Sequence, residues 1–231
     1  DGTADESKDR TFKQRNSFVG LKGSMGTIFL GKHDTATKKS QKKIDLFNDL
    51  AGDIKNILQG ENRMSDLVGY TTPKINGFSA TFNAIKGTEG LGDDSIGDST
   101  STSISYDSEN FYIALAFDSE LKGYDSTRLT LQIPFNRSQL GIMFQDSEKL
   151  STGVEEDGYV ISFSQKVGDK GTFKFQQAES DMKLDSGKQF SFGYDYKLSS
   201  KAKAFFFFTD LSGDNTSKEK EITGIGFEYK F

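Results

Sequence analysis

The stretch Gly224-Ile225-Gly226-Phe227-Glu228-Tyr229-Lys230-Phe231 decides the fold. Ile225, Phe227, Tyr229 and Phe231 alternate with Gly226, Glu228 and Lys230, so one face of an extended strand is apolar and the other polar. An aromatic at the very end of such a strand is unusual, because termini ordinarily fray. The same beat runs back along the chain. It recurs in Phe190, Phe192, Tyr194 and Tyr196, in Phe173 and Phe175, and in Tyr159, Ile161 and Phe163. Further upstream come Leu140, Ile142 and Phe144, then Leu129, Leu131 and Ile133 set against Arg128, Thr130 and Gln132. Phe111, Ile113, Leu115 and Phe117 repeat it, as do Phe78, Ala80, Phe82 and Ala84. In a chain of mean hydropathy -0.57, short alternating strands of this kind are the mark of a transmembrane β-barrel.

Composition narrows the alternatives. The 231 residues fit one large all-β domain, and we expect a single domain over 1–231. The apolar share is only 34%, yet 21 Phe and 8 Tyr exclude a disordered chain. No stretch approaches the length of apolar sequence that a membrane helix needs. Cysteine is absent, which removes disulfides and thiolate metal sites. His33 is the lone histidine, so neither a histidine-based triad nor a multi-histidine metal site can be assembled. A net charge of -5 argues against nucleic acid as a partner. Residues 1–10 are polar and charged rather than signal-like, so the chain reads as mature or trimmed.

The connections decide between a barrel and a soluble sandwich. Short ones, such as Gly23-Ser24-Met25-Gly26, Asn136-Arg137 and Gly168-Asp169-Lys170-Gly171, alternate with long polar ones at 87–100, 146–158, 180–188 and 212–220. Short turns on one rim and long loops on the other belong to outer-membrane barrels. One segment departs from the strand rhythm. Between strands near 27–32 and 63–72, Phe47, Leu50, Ile54, Ile57 and Leu58 recur with helical spacing. Asp45, Asp49 and Asp53 repeat at i, i+4 and would project together from another face of that helix. The interior of a wide barrel is available to receive it.

The stretch Arg15-Asn16-Ser17-Phe18-Val19-Gly20-Leu21-Lys22-Gly23, with Gly26-Thr27-Ile28-Phe29-Leu30-Gly31-Lys32-His33-Asp34, resembles the paired-strand signature of the general diffusion porins of Gram-negative bacteria. The long loop directly after the second strand and the terminal aromatic strand agree with it. The resemblance spans the whole chain and implies an all-β fold, a transmembrane antiparallel up-and-down β-barrel with a helix-containing constriction loop, here at 34–62. The family has sixteen strands. About thirteen are counted here, so the resemblance implies a porin without about three amino-terminal strands, closed by something outside this sequence, since an open sheet edge in lipid leaves backbone groups unpaired.

The resemblance further implies a water-filled channel in the outer membrane for passive diffusion of ions and small hydrophilic solutes. It implies no enzyme, no cofactor and no metal, and it implies a homotrimer in contact with lipid and lipopolysaccharide. It places Arg15, Lys32 and Arg63 on the wall facing the constriction, with Asp45, Asp49 and Asp53 opposite them on the loop. Lys42 and Lys43 in the same loop would weaken a cation preference. The bland alternative for these charges is a solvated surface, and for the three aspartates the two readings weigh about equally. Acidic runs at Asp93, Asp94 and Asp98 and at Glu155, Glu156 and Asp157 read as solvated loop tips more readily than Ca²⁺ sites. The alternative function is a barrel acting as scaffold or receptor. An inward face bearing Arg128, Thr130, Gln132, Lys174, Gln176, Asp195 and Lys197 favours the channel, because a lumen has to be wet.

Overall fold

The computed structural model describes residues 15–87, 95–184, 186–214 and 219–231. Among them, thirteen strands form one antiparallel sheet in which each strand pairs with its neighbours in sequence. The first four are β1 (Ser17–Gly23), β2 (Gly26–Asp34), β3 (Arg63–Thr71) and β4 (Phe78–Lys86). Next come β5 (Ile96–Asp107), β6 (Tyr112–Leu121), β7 (Tyr124–Phe135), β8 (Ser138–Lys149) and β9 (Val154–Val167). The last are β10 (Gly171–Ser180), β11 (Gly187–Lys197), β12 (Ala202–Ser212) and β13 (Lys220–Tyr229), and β1 and β13 are the two edges.

Alternation sorts the side chains as the sequence predicts. Leu129, Phe144, Ile161, Phe173, Phe175, Phe190, Ile225 and Phe227 stand exposed on the outer face. Arg128, Thr130, Gln145, Gln176, Gln189 and Ser191 are buried on the inner face. A continuous exposed apolar band is anomalous in water but is the required surface in lipid. The run Phe205 to Phe208 divides the same way. Phe206 and Phe208 pair with Ile225 and Thr223 on the outside, while Phe205 and Phe207 lie inward over Gly226 and Gly224 of β13.

Two expectations about the connections are corrected. The segment 146–158 is mostly strand, because Asp146, Ser147 and Glu148 pair with Asp157, Glu156 and Glu155 before the chain turns at 150–153. Strand pairing needs backbone partners, and charged side chains are tolerated once the strands rise beyond lipid. The acids Glu155, Glu156 and Asp157 therefore sit on β9 and Asp98 on β5 rather than at loop tips, while Asp93 and Asp94 lie outside the described residues. β5 reads Ile96-Gly97-Asp98-Ser99-Thr100-Ser101-Thr102-Ser103-Ile104 and gave little apolar signal, yet it pairs along most of β4 and β6.

The loop 34–62 is corrected too. The expected long amphipathic helix is a one-turn helix, α1 (Ala36–Ser40), followed by consecutive turns and a 3-10 turn at Ile54–Asn56. The loop folds onto the inner face, and Ile44, Ile54, Ile57 and Leu58 form a buried cluster with Met143, Val160, Ala178 and Met182 of the wall side.

Candidate functional site

The loop is fastened to the wall by polar bonds from successive strands. Backbone N–H groups of Ala36 and Thr37 donate to Asn83 Oδ1 of β4 at 2.7 Å and Ser101 Oγ of β5 at 3.1 Å. Thr37 Oγ1 donates to Asp118 on β6 at 2.5 Å, and Tyr112 OH donates to the Ser40 carbonyl at 2.9 Å. Farther round, Gln176 of β10 accepts from Leu46 N–H at 2.8 Å and donates to the Gly52 carbonyl at 2.9 Å. Gln189 of β11 donates to the same carbonyl at 2.6 Å. A loop that must leave the strand ladder has its own backbone to satisfy, and these wall amides and hydroxyls do so.

Arg128 on β7 joins the two ends of the loop. It is fully buried, and its guanidinium donates to Gln145 Oε1 at 2.7 Å, Glu61 Oε1 at 2.8 Å, the Gln59 carbonyl at 2.8 Å and the Thr37 carbonyl at 3.4 Å. The sequence placed Arg128 on the inner face but gave no sign of its partners. Three glycines seat the apolar residues. A Cβ at Gly141, Gly158 or Gly193 would come within 2.9, 2.7 and 2.9 Å of Ile44, Leu58 and Phe47 respectively.

The three loop aspartates do not act as a row. The Asp45 carboxylate accepts from Phe47 N–H at 3.0 Å and Ile54 N–H at 3.4 Å. Asp53, almost fully buried, accepts from Asp49 N–H and Lys55 N–H and pairs with Lys55 Nζ at 2.8 Å. Both hold turns of the loop backbone. Burial, and then the neighbouring Asp53 carboxylate, push the Asp45 carboxyl up to about 7. Asp49, with φ 64, is the one turned outward, and its carboxylate meets the Arg15 guanidinium at 3.2 Å.

The basic residues part company as well. Arg63 Nε donates to Asn16 Oδ1 at 2.6 Å and pairs with Asp34 at 3.0 Å, and Lys38 reaches Asp34 at 3.5 Å. Asp34, which ends β2, thus offsets Arg63, a contact the sequence did not reveal. Lys32 pairs in register with Ser17, as Leu30 does with Val19 and Ile28 with Leu21. Alternation therefore puts Lys32 on the outer face with Leu30 and His33 inward with Phe29, against Phe18 and Phe29, while the bulge lies on β3, where Ser65 and Asp66 together oppose Lys32.

A one-sheet up-and-down wall with an apolar exterior, a polar interior and a loop folded across that interior defines the class of outer-membrane barrels. The sequence profile of the Gram-negative porins matches residues 2–216, and the chain belongs to that family. Solved outer-membrane proteins share the fold. An anion-selective porin from Comamonas acidovorans superposes with a TM-score of 0.73 at 23% identity, covering 94% of this chain and 78% of that one. Salmonella typhi OmpF, in complex with daunomycin, gives 0.77 at 14% identity over 94% and 78%. The trimer form of Vibrio cholerae OmpT gives 0.65 at 14% identity over 94% and 80%. No curated protein matches the chain by sequence. The protein is accordingly an outer-membrane porin, a water-filled channel through which ions and small hydrophilic solutes diffuse.

Proposed function

We propose that the loop 34–62 is the constriction of this channel, with Arg15 and Asp49 as its opposed charges and no bond-making chemistry. The ion pair at 3.2 Å between the outermost turn of the loop and the residue that leads into β1 carries the reading. Both side chains are more than half exposed, which is what charges facing a water-filled passage require. Arg63 contributes less, because its pair with Asp34 at 3.0 Å is mostly buried, with only 21% of the Arg63 side chain exposed. Asp45 and Asp53 support the loop rather than face the passage, and Lys32 is left out of the set by its register. Lys42 is drawn to the wall by Asp107 at 2.7 Å and by the Tyr112 ring, so its charge weakens the cation preference little.

In planar bilayers under a KCl gradient, Asp49→Asn should move the reversal potential toward anions and Arg15→Gln toward cations. Unchanged reversal potentials in both variants would remove the pair from the constriction. A homotrimer in the outer membrane fits this reading, supported by the trimer form of the Vibrio cholerae relative. Lipid on the apolar band and lipopolysaccharide against the charged loop-side rim are the expected surroundings. Mass measurement in native detergent micelles tests the trimer directly.

A further inference from the structure

The inner face has a second charged feature, which runs from the loop to the opposite rim. A cross-strand chain of ion pairs starts where Lys174 of β10 donates to the Leu46 carbonyl of the loop at 3.2 Å. It continues from Lys174 to Asp195 of β11 at 2.9 Å, to Lys203 of β12 at 3.3 Å and to Glu228 of β13 at 3.3 Å. At its far end a cavity of about 250 Å³ opens beside the β9–β10 and β11–β12 turns. Five lysines line that cavity, at 170, 197, 201, 203 and 230, against only two carboxylates, Asp195 and Glu228.

Both carboxylates are already engaged. Asp195 lies between Lys174 and Lys203, and Glu228 between Lys203 and Lys230. Among the described residues, Lys170, Lys197 and Lys201 have no carboxylate within ion-pair distance, although Lys170 also lies 6.0 Å over the Tyr196 ring. Lys197 also stands directly opposite Lys203 in the β11–β12 register. Like charges in that relation destabilise a sheet, and Asp195 and Glu228 offset Lys203 but not Lys197. Ser199 and Ser200 in the same turn add hydroxyl donors to the lining.

We propose that this basin binds a small multivalent oxyanion of the phosphate class. Lysine ammonium groups are point-charge partners for such groups, and three of them round one cavity favour more than one negative charge. Short turns of outer-membrane barrels lie on the periplasmic side, so the basin faces the periplasmic mouth. The constriction and the basin are separate sites joined by the ion-pair chain. The proposal stands on the basin's own residues and does not need the Arg15–Asp49 reading.

The test uses inorganic pyrophosphate as the probe and the purified porin in detergent and in bilayers. Calorimetric titration should detect binding that weakens about tenfold in the Lys197→Gln/Lys201→Gln variant, as loss of two single-charge contacts in a water-like surrounding implies. In bilayers, pyrophosphate should reduce unitary conductance at lower concentration from the short-turn side than from the loop side, with the effect fading as KCl is raised. Circular dichroism of the variant checks that the sheet is intact. Absent binding, or binding of equal strength in the folded variant, overturns the proposal, as does block that is the same from both sides. Calorimetry reads the basin whether or not the constriction assignment holds, so the two fail separately.

Discussion

Arg128 has no water contact and four protein acceptors, which makes it the residue on which the loop most depends. A buried ion pair adds little net stability when complete, yet removing one partner strands the other charge and costs about 3–5 kcal/mol. Arg128→Met should therefore leave the buried Glu61 charge without a cation, held only by Gln41 Nε2 at 3.0 Å, and loosen both ends of the loop. The expected readouts are faster proteolytic cleavage within 34–62 and noisier open-channel current. Adding Glu61→Gln should restore part of the protection, because it removes the stranded charge. Asp45 offers a pH-dependent counterpart. Its folded value, about 7, lies above the ordinary 3.8, so the loop favours the protonated form. That stabilisation is complete below about pH 4 and is lost as pH rises through 7. Asp53 and Glu61 push in the same direction, while the N–H bonds from Phe47 and Ile54 oppose them. Loop protection from proteolysis should fall between about pH 4 and about pH 7, and Asp45→Asn should flatten that fall. A pH profile unaltered by the substitution would assign the titration to another group.

At the scale of elements, the loop shows how far a pattern can be read without its geometry. Of the apolar set Phe47, Leu50, Ile54, Ile57 and Leu58, all but Leu50 are buried, and Leu50 is half-buried. A helix was the wrong vehicle, because tight turns also gather residues three and four apart, and Asp45 and Asp53 bond to the turn N–H groups that a helix would satisfy internally. For the same reason the aspartates could not share a face. The outer and inner sets of the strands were legible because a period of two leaves only two sides. What stayed hidden was contact between elements: the partners of Arg128, the pairing of Arg63 with Asp34, and the bulge of β3 opposite Lys32. The loop's seats in the wall were equally silent in sequence, since a glycine on a strand looks like a weakness until something is packed on it. Gly158 makes the point testable. A side chain there meets Leu58 and Ser180, so Gly158→Val should lower thermal stability by about 1–3 kcal/mol through overpacking. If Leu58 is the obstacle, Leu58→Ala combined with Gly158→Val should be less destabilised than the two single losses added together. Strict additivity would place the clash elsewhere, at Ser180.

For the whole molecule, the outer face carries a boundary as well as a band. On β8 the outward row runs Ile142, Phe144, Asp146 and Glu148, and on β7 it runs Leu131, Leu129 and Thr127, with Thr127 opposite Asp146. On β9 it passes from Ile161 and Tyr159 to Asp157 and Glu155, and on β12 from Phe206 and Phe208 to Asp210. At the other rim, Tyr106, Tyr196 and Tyr229 end their outward rows close to the short turns. The switch from apolar to charged therefore falls at one level on neighbouring strands, and that level is where lipid ends. A charge should then be costly or harmless according to height on one face of one strand. Leu131→Lys, within the band, should lose about 2–4 kcal/mol in urea-driven equilibrium folding into vesicles, and Thr127→Lys about 0–1 kcal/mol. Asp146 opposite residue 127 favours a lysine there. Equal losses at the two positions would mean that the apolar band is not the lipid contact, and a loss at Thr127 alone would place the bilayer one rim higher on the sheet.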